Sequence, residues 1–526
     1  MAATITHVRP IIGLEVHVQL ATRRKMFAAA PSGACAGAPA SLEPNTLIDE
    51  TVLALPGTLP VMNRAAVELS MLVGLLLRCQ IAPQSKWDRK AYFYPDLPKA
   101  YQISQYDLPL CFDGAFDIPS TNDAGALDLT RPPTRIGIIR AHLEEDAGKL
   151  LHEAPGGFAI NHSIVDYNRA GTPLLEIVTQ PDFTNANDVV MFARLLRAAC
   201  RDAGATLGVM ERGHMRFEPN INCELTLSDG RTARTPIVEV KNLNSFRALK
   251  GAIEFEIADQ PRRFLEDRRE MGKGAKTTRG YDDARGVTVV QRSKEDADDY
   301  RYFPDPDLPT VIVDEVWRDE IATRVGETPY QRLIRLVREV DLDPKDALAV
   351  VEDPATARFL DAAIDAAVAI SSDRSKLARP CANLVLQNLQ KVANERGVSP
   401  ADLGVSPEGV ASVAVLRVEG SVGSQAVDVL LADQAAKAVG EPARVLEGVR
   451  EAAKLAGLLI VRDEGAMAKW IQEAIAAQPQ AAADVRAGKQ QAMGRLLGEV
   501  MKRSGGQADA KSAREALLKA LDHAHD

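Results

Sequence analysis

Paired cysteines are missing from this 526-residue chain: its six cysteines (35, 79, 111, 200, 223 and 381) are scattered, and none forms a Cys-x-x-Cys. That argues against a disulfide framework or a zinc cluster and fits reduced thiols in a cytoplasmic protein. No long apolar run follows a basic start in MAATITHVRPIIGLEV, so neither a signal peptide nor a membrane span is expected. The phosphate loop G-x-x-x-x-G-K-[ST] is absent as well. Gly272-Lys273-Gly274-Ala275-Lys276 is a short basic loop of another kind, so ATP, if bound, is held differently. A net charge of −9 argues against a chain that coats nucleic acid everywhere and leaves room for a local basic patch. What remains is an ordinary globular composition, 46% hydrophobic and 26% charged. The length suggests about three or four domains.

The first ~310 residues alternate apolar and polar side chains, as half-buried strands do. In 11–20, Ile12, Leu14, Val16, Val18 and Leu20 share one face, and Gly13, Glu15, His17 and Gln19 the other. In 216–227, Phe217, Ile221, Cys223, Leu225 and Leu227 oppose Arg216, Glu218, Asn220, Asn222 and Glu224. Pro219 cannot donate to a ladder, which predicts an edge or a bulge there. Further strands are expected at 136–143, 172–179 and 237–241, and helices near 63–78, 187–204 and 245–270. This is an α+β pattern with a largely antiparallel sheet. From about 316 alternation vanishes, alanine becomes abundant and helices are expected near 328–340, 355–370, 375–396, 425–438 and 443–457. A last unit, 457–526, has apolar stripes at Met467, Trp470, Ile471 and Ile475 and at Met493, Leu496, Leu497, Val500 and Met501, with a glycine C-cap at Ser504-Gly505-Gly506. Between 484 and 519 it carries eight basic residues against four acidic ones. The expected domains are 1–315, 316–456 and 457–526.

Several stretches carry candidate chemistry. Glu15 and His17 lie two apart on a strand and point to one face. Taken alone, that also describes a solvent-facing sheet surface. His142, Glu144, Glu145, Asp146 and Lys149 follow in HLEEDAGK, and Glu176 and Glu218 sit mid-strand among apolar neighbours, where isolated carboxylates are poorly tolerated unless paired or metal-bound. Oxygen ligands with an imidazole suit Mg²⁺ or Mn²⁺ better than zinc. DRKAYFYPDLPKAYQISQYD (88–107) places Lys90 and Lys99 around Tyr92, Phe93 and Tyr94. A Tyr- and Pro-rich structural loop is the plainer reading of it. In 164–182, the Arg169 fork matches phosphate oxygens. Glu239 and Lys241 share a strand face as an ion pair or a catalytic pair, and Asn244-Ser245 reads as a helix cap. Finally, RGVTVVQRSKEDADDYRYFPDPDLP (285–309) mixes Arg292, Lys294 and Arg301 with Glu295, Asp296, Asp298, Asp299, Asp305 and Asp307, and with Tyr300, Tyr302 and Phe303. That is both charge signs on a stiff backbone, as metal-bound phosphates require. His7, His152, His523 and His525 read as surface histidines.

DDYRYFPDPDLP, following TRGYDD at 278–283, closely resembles the B subunits of the tRNA-dependent amidotransferases. IGLEVHVQL, HLEEDAGK, GTPLLEIV, the 88–107 segment and the tail's Gly488-Lys489, Ala492-Met493-Gly494 and Gly506-Gln507-Ala508 extend the likeness nearly end to end. The resemblance implies a glutamine-synthetase-like cradle domain, a helical domain and a YqeY-like tail that contacts tRNA. It implies ATP and Mg²⁺ as cofactors, with Glu15, His17, Glu145 and Glu176 as metal ligands. Lys90, Lys99, Glu145, Arg169 and Glu218 would be catalytic, and Arg292, Arg301 and Tyr302 would bind the nucleotide. It further implies three partners: an amidase (the A subunit), a small third chain (the C subunit) and misacylated tRNA(Gln) or tRNA(Asn). A Lys99–Glu145 pair would gate the ammonia inlet. Two departures stand out. Ala28, Ala30, Asp49 and Val52 occupy places where many relatives have cysteine pairs, so no zinc is expected. RFEPN (216–220), with His214 before it, differs from the usual SLRCDAN, which leaves the geometry around Glu218 open. A small-molecule carboxylate–ammonia ligase and a non-catalytic tRNA scaffold are the alternatives.

Overall fold

The computed structural model describes residues 3–35, 37, 42–122, 126–154, 157–293, 300–434, 440–461, 463–487 and 489–522. The chain divides into two compact units, Met1–Ile334 and Arg335–Asp526.

The first unit is α+β and is organised by one long strand, β1 (Ile5–Gln19). Its alternation is what makes it a strand: Ile12, Leu14, Val16 and Val18 are buried with at most 1% exposure. Each such side chain stabilises the fold by about 1.5–3 kcal/mol. β1 lies between β5 (Pro173–Thr179) and β6 (Met215–Leu227), antiparallel to both. The other strands used below are β2 (Asp88–Ala91), β3 (Tyr101–Ser104), β4 (Thr134–Glu145), β7 (Val238–Lys241), β8 (Thr277–Asp282), β9 (Val287–Ser293) and β10 (Phe303–Pro304). The sheet order is β9-β8-β7-β6-β1-β5-β4-β3-β2-β10. Only the β7–β8 pair along it is parallel. Among the described helices, α1 (Arg64–Leu76), α2 (Ala186–Asp202) and α3 (Phe246–Asp267) start on side-chain caps from Asn63, Asn185 and Ser245. Phe246 of α3 meets Phe217 on the apolar face of the sheet, and Phe192 of α2 meets Phe183 and Phe116. The opposite face keeps Glu15, His17, Glu176 and Glu218.

Pro219 departs from its expected place. It lies inside the sheet, opposite Leu14, and not on an edge strand. The proline is tolerated because the β6–β7 ladder begins only at Asn220, so its missing N–H takes no bond from that side.

The second unit is helical throughout its regular structure. Pro354–Ser371, Arg374–Asn383, Pro407–Val418 and Pro442–Leu455 build most of its first core. The helix expected over 375–396 contains a π-helical turn at Leu384–Leu389. Ser424–Gln434 is helical, and the rest of the expected 425–438 helix lies outside the described residues. Glu464–Ala477, Pro479–Arg486, Met493–Arg503 and Ala510–Asp522 enclose a core of their own around Met467, Ile471, Leu496, Val500 and Leu517.

Candidate functional site

Strand register gathers charge onto one face of the sheet. His17 stands opposite Glu176 of β5 and Arg216 of β6, Glu176 stands opposite His142 of β4, and Glu15 stands opposite Glu218. Period two then aligns Glu144 with His142. His17 Nε2 lies 3.7 Å from Glu144 and 3.6 Å from Glu176, and its Nδ1 lies 3.7 Å from Glu218. His142 Nε2 is 3.4 Å from Glu176. These distances are contacts of converging groups, longer than hydrogen bonds. Two carboxylate sets result. His17, Glu144 and Glu176 offer ligand atoms within 4.8 Å of one another, and so do Glu15, Glu218 and Glu239.

The electrostatics of the first set call for a cation. Burial opposes a charge on His17, but Glu176 and Glu218 outweigh it and raise the imidazole to about 9. Burial, reinforced by Glu176, pushes Glu144 up to about 7 despite Lys90 and His17. Burial holds His142 down at about 4. The buried Nδ1 atoms of His17 and His142 have no hydrogen-bond partner among the described residues. Orphaned buried polar atoms beside a carboxyl that resists ionisation fit an oxygen-rich divalent site, and Mg²⁺ matches the donor set. The second set has a cation of its own. Lys241 lies 2.6 Å from Glu218 and 3.3 Å from Glu239, and Asn220 donates to Glu15 at 2.9 Å. Burial works against the Glu218 charge, but His17 and Lys241 prevail and lower its pKa.

Lys90 projects from β2 toward the first set. Burial disfavours its charge, yet Glu144, Tyr302, Glu176 and Tyr92 together outweigh it and its pKa rises. Its ammonium lies 5.1 Å from the Tyr300 ring and 6.0 Å from Tyr92, an aromatic seat that leaves the charge directed at the carboxylates. Tyr302 stacks on Tyr106 at 4.1 Å.

Not every expected site residue joins this cluster. Glu145 follows Glu144 and points to the other side of β4. Its carboxylate pairs with Lys99 and accepts from Ile103 N–H at 3.0 Å. With Phe27, Val52, Leu97 and Gly171, the pair lines a small cavity of about 20 Å³. Glu144, not Glu145, is the HLEEDAGK carboxylate that reaches His17. Arg169 donates to the carbonyls of Ala147 (2.8 Å) and Gly148 (2.5 Å), fixing the turn after β4. Asp146 in that turn accepts from Gln19 at 2.8 Å and Arg216 at 2.9 Å. Gly148 is required there, because a Cβ would lie 2.8 Å from the Asp166 carbonyl and 3.1 Å from that of Asp96. Asp305 and Asp307 are engaged by Arg89 at 2.7 and 2.9 Å, a clasp between β2 and the chain following β10. Arg301 is exposed, at φ 47°. Of Arg292 the structure describes the backbone, in β9 opposite Thr278. Lys294, Glu295, Asp296, Asp298, Asp299, Gly488, His523 and His525 lie outside the described residues.

Sequence reasoning gave no ligand role to Glu144 or His142 and no cluster role to Glu239. The signal for the first two was present: counting by two from His142 selects Glu144. Glu239 needed the β6–β7 register, which no local pattern encodes.

Comparison with known proteins assigns the chain to a family. Residues 10–319 match the family model described as the GatB/GatE catalytic domain, and residues 365–521 match the GatB domain. Proteins named as the B subunit of aspartyl/glutamyl-tRNA(Asn/Gln) amidotransferase are similar end to end. That of Thermomicrobium roseum is 40% identical over 97% of this chain and 98% of its own length. That of Rhodopirellula baltica is 38% identical over 97% and 96%. That of Salinibacter ruber is 36% identical over 98% and 97%. Carrying the family's catalytic domain over more than half its length and its second domain behind that, the chain belongs to the GatB family.

Proposed function

We propose that this chain is the B subunit of a glutamine-dependent aspartyl/glutamyl-tRNA amidotransferase. It phosphorylates the side-chain carboxylate of Glu-tRNA(Gln) or Asp-tRNA(Asn) with ATP. Ammonia then displaces phosphate, giving Gln-tRNA(Gln) or Asn-tRNA(Asn) for translation. The observation that carries this reading is the convergence of His17, Glu144 and Glu176 on one sheet face, in a family whose relatives bear that name.

His17, Glu144 and Glu176 would hold Mg²⁺, with Glu15 and Glu218 beside them. Bound there, the metal supplies positive charge to phosphate oxygens. The chain's own residues do the rest. Lys90 adds a fixed cation facing the same carboxylates. Asp146, held by Gln19 and Arg216, fixes the turn after β4, and Arg169 braces that turn. Lys99 and Glu145 stand at the inlet through which ammonia enters. Arg292, Arg301 and Tyr302 serve ATP. We read 1–315 as a glutamine-synthetase-like cradle, 316–456 as a helical domain and 457–526 as a basic tail for the outer body of the tRNA. No Ser-Ser-Lys amidase signature occurs in this chain, so the ammonia comes from a separate amidase (the A subunit). A small third chain (the C subunit) completes a cytoplasmic heterotrimer.

The test is amidation by the chain co-expressed with its A and C partners, given Glu-tRNA(Gln) or Asp-tRNA(Asn), ATP, Mg²⁺ and ammonium. Amidated tRNA is expected. Amidation of free glutamate or aspartate instead would replace this reading with a small-molecule ligase. Binding of tRNA with neither amidation nor ATP hydrolysis stimulated by misacylated tRNA would replace it with a scaffold.

A further inference from the structure

His17 stands between two neighbouring strands, and its two ring nitrogens face different groups. Nε2 is turned to Glu144 and Glu176, at 3.7 and 3.6 Å. Nδ1 is turned to β6, where Glu218 Oε1 lies 3.7 Å away. Register explains the reach. Glu218 stands opposite Glu15, one diagonal step from His17, a separation that long side chains span. The residue directly opposite His17 is Arg216, whose guanidinium donates to Asp146 at 2.9 Å and has no acceptor to offer. The two oxygens of Glu218 differ as well. Oε2 accepts from Lys241 at 2.6 Å, while Oε1 is the atom that faces the imidazole. Glu218 is 8% exposed, so little water competes for it.

An imidazole can give a cation only a nitrogen that carries no proton. If Nε2 joins Glu144 and Glu176 around a divalent ion, the proton of the neutral ring belongs on Nδ1, and that buried N–H needs an acceptor. Nδ1 has no hydrogen-bond partner among the described residues, and Glu218 Oε1 is the carboxylate oxygen placed to become one. Histidines that bind metals donate their second ring N–H to such a group, which fixes the tautomer and the orientation of the ring. Lys241 keeps Glu218 at this task, because a carboxylate anchored through Oε2 does not swing toward the cation. Resting on the metal reading given above, we propose that Glu218 is a positioning residue for His17 and not a ligand of that ion. Lys241 anchors its Oε2, and its Oε1 accepts a hydrogen bond from Nδ1–H, leaving Nε2 for the cation.

The test uses the heterotrimer with Mn²⁺ as the probe, read by electron paramagnetic resonance. In the wild type, an imidazole nitrogen should modulate the electron spin echo of bound Mn²⁺. Glu218→Gln keeps the size of the side chain, but Lys241, which has only donors, takes the amide oxygen and turns the amide N–H toward Nδ1. Mn²⁺ affinity is expected to fall about 10- to 100-fold. The imidazole modulation should vanish from the Mn²⁺ that still binds. Adding Lys241→Met to Glu218→Gln releases the amide oxygen for Nδ1 and should restore the modulation. Affinity that falls while the modulation stays would overturn the proposal, since Glu218 would then act as a ligand or as a charge. So would unchanged affinity, or a double variant without modulation. If Glu218→Gln fails to assemble, Glu218→Leu is read in its place, with the same loss expected and retained modulation equally fatal. A wild-type heterotrimer that amidates tRNA yet shows no imidazole modulation would instead take His17 out of the metal site on which the proposal rests.

Discussion

The two units of this chain treat buried charge in opposite ways. In Met1–Ile334, Lys25, Asp88, Glu144, Glu145, Asp146, Glu218, Glu239, Glu256, Asp259 and Asp305 are all at least nine-tenths buried. In Arg335–Asp526 the buried polar side chains among the described residues are the hydroxyls of Thr356, Ser412 and Ser504. Burying a carboxylate is costly, and a well-packed apolar group in its place is often more stable. Some of the first unit's charges have purely structural partners: Glu256 is held by Arg263 at 2.6 Å, Gln260 at 3.1 Å and Thr288. The set around His17 is different, since its compensation is incomplete. The contrast teaches that the first unit gives up stability to hold uncompensated charge, while the second is built for packing.

The strongest way to break that contrast is to neutralise one carboxylate. Glu144→Gln should lower amidation by the heterotrimer at least about a hundredfold while leaving the fold intact. Titrating Mn²⁺ onto the protein by electron paramagnetic resonance should show weaker binding in the same variant. Wild-type activity and metal affinity together would remove Glu144 from the site. In the helical unit the same logic predicts an effect on stability. Leu496, fully buried in the last core, should cost about 2–5 kcal/mol when changed to Ala. Denaturant unfolding checks this against Leu455→Ala, a site that is 82% exposed. Equal losses at the two sites would mean that the last four helices do not depend on that core.

Smaller effects sharpen the comparison within the sheet unit itself. Lys99→Ala, which leaves Glu145 unpaired, should reduce glutamine-dependent amidation about tenfold more than ammonium-dependent amidation, if the pair gates the inlet. Equal factors for the two ammonia sources would make gating untenable. Least dramatic should be a double charge reversal of exposed Lys502 and Arg503. Affinity for tRNA should fall, and the salt slope of binding should lessen by about 0.7–0.9 for each phosphate no longer neutralised. An unchanged slope would argue that the basic excess of the tail is only a solvated surface.

Legibility in the sequence followed the same divide. Strands with one face in the core announce themselves by alternation: the expected 172–179 and 237–241 became Pro173–Thr179 and Val238–Lys241. Glu15, His17 and Glu176 were visible as polar exceptions within such strands. Consecutive glutamates at 144 and 145 were harder: period two puts Glu144 on the face of His142, but only the strand register shows that this face also holds His17. The helix Pro407–Val418 escaped entirely. Gly409 through Leu416 are all buried, so no polar face marks a period of 3.6. The turn at Leu384–Leu389 was hidden for a related reason, since a π-helical turn leaves apolar spacing looking helical.

One feature of the strand order reaches further than the site. β9 and β10 lie at opposite edges of the sheet, nine strand-to-strand steps apart, yet Ser293 and Phe303 are separated by only ten residues. Nine steps along a flat sheet cover about 43 Å. Ten residues of fully extended chain reach no more than about 36 Å. A flat sheet is therefore forbidden by covalent arithmetic, and the edges must be drawn toward each other. The chain is its own drawstring: whatever moves those edges, they cannot part beyond the reach of ten residues.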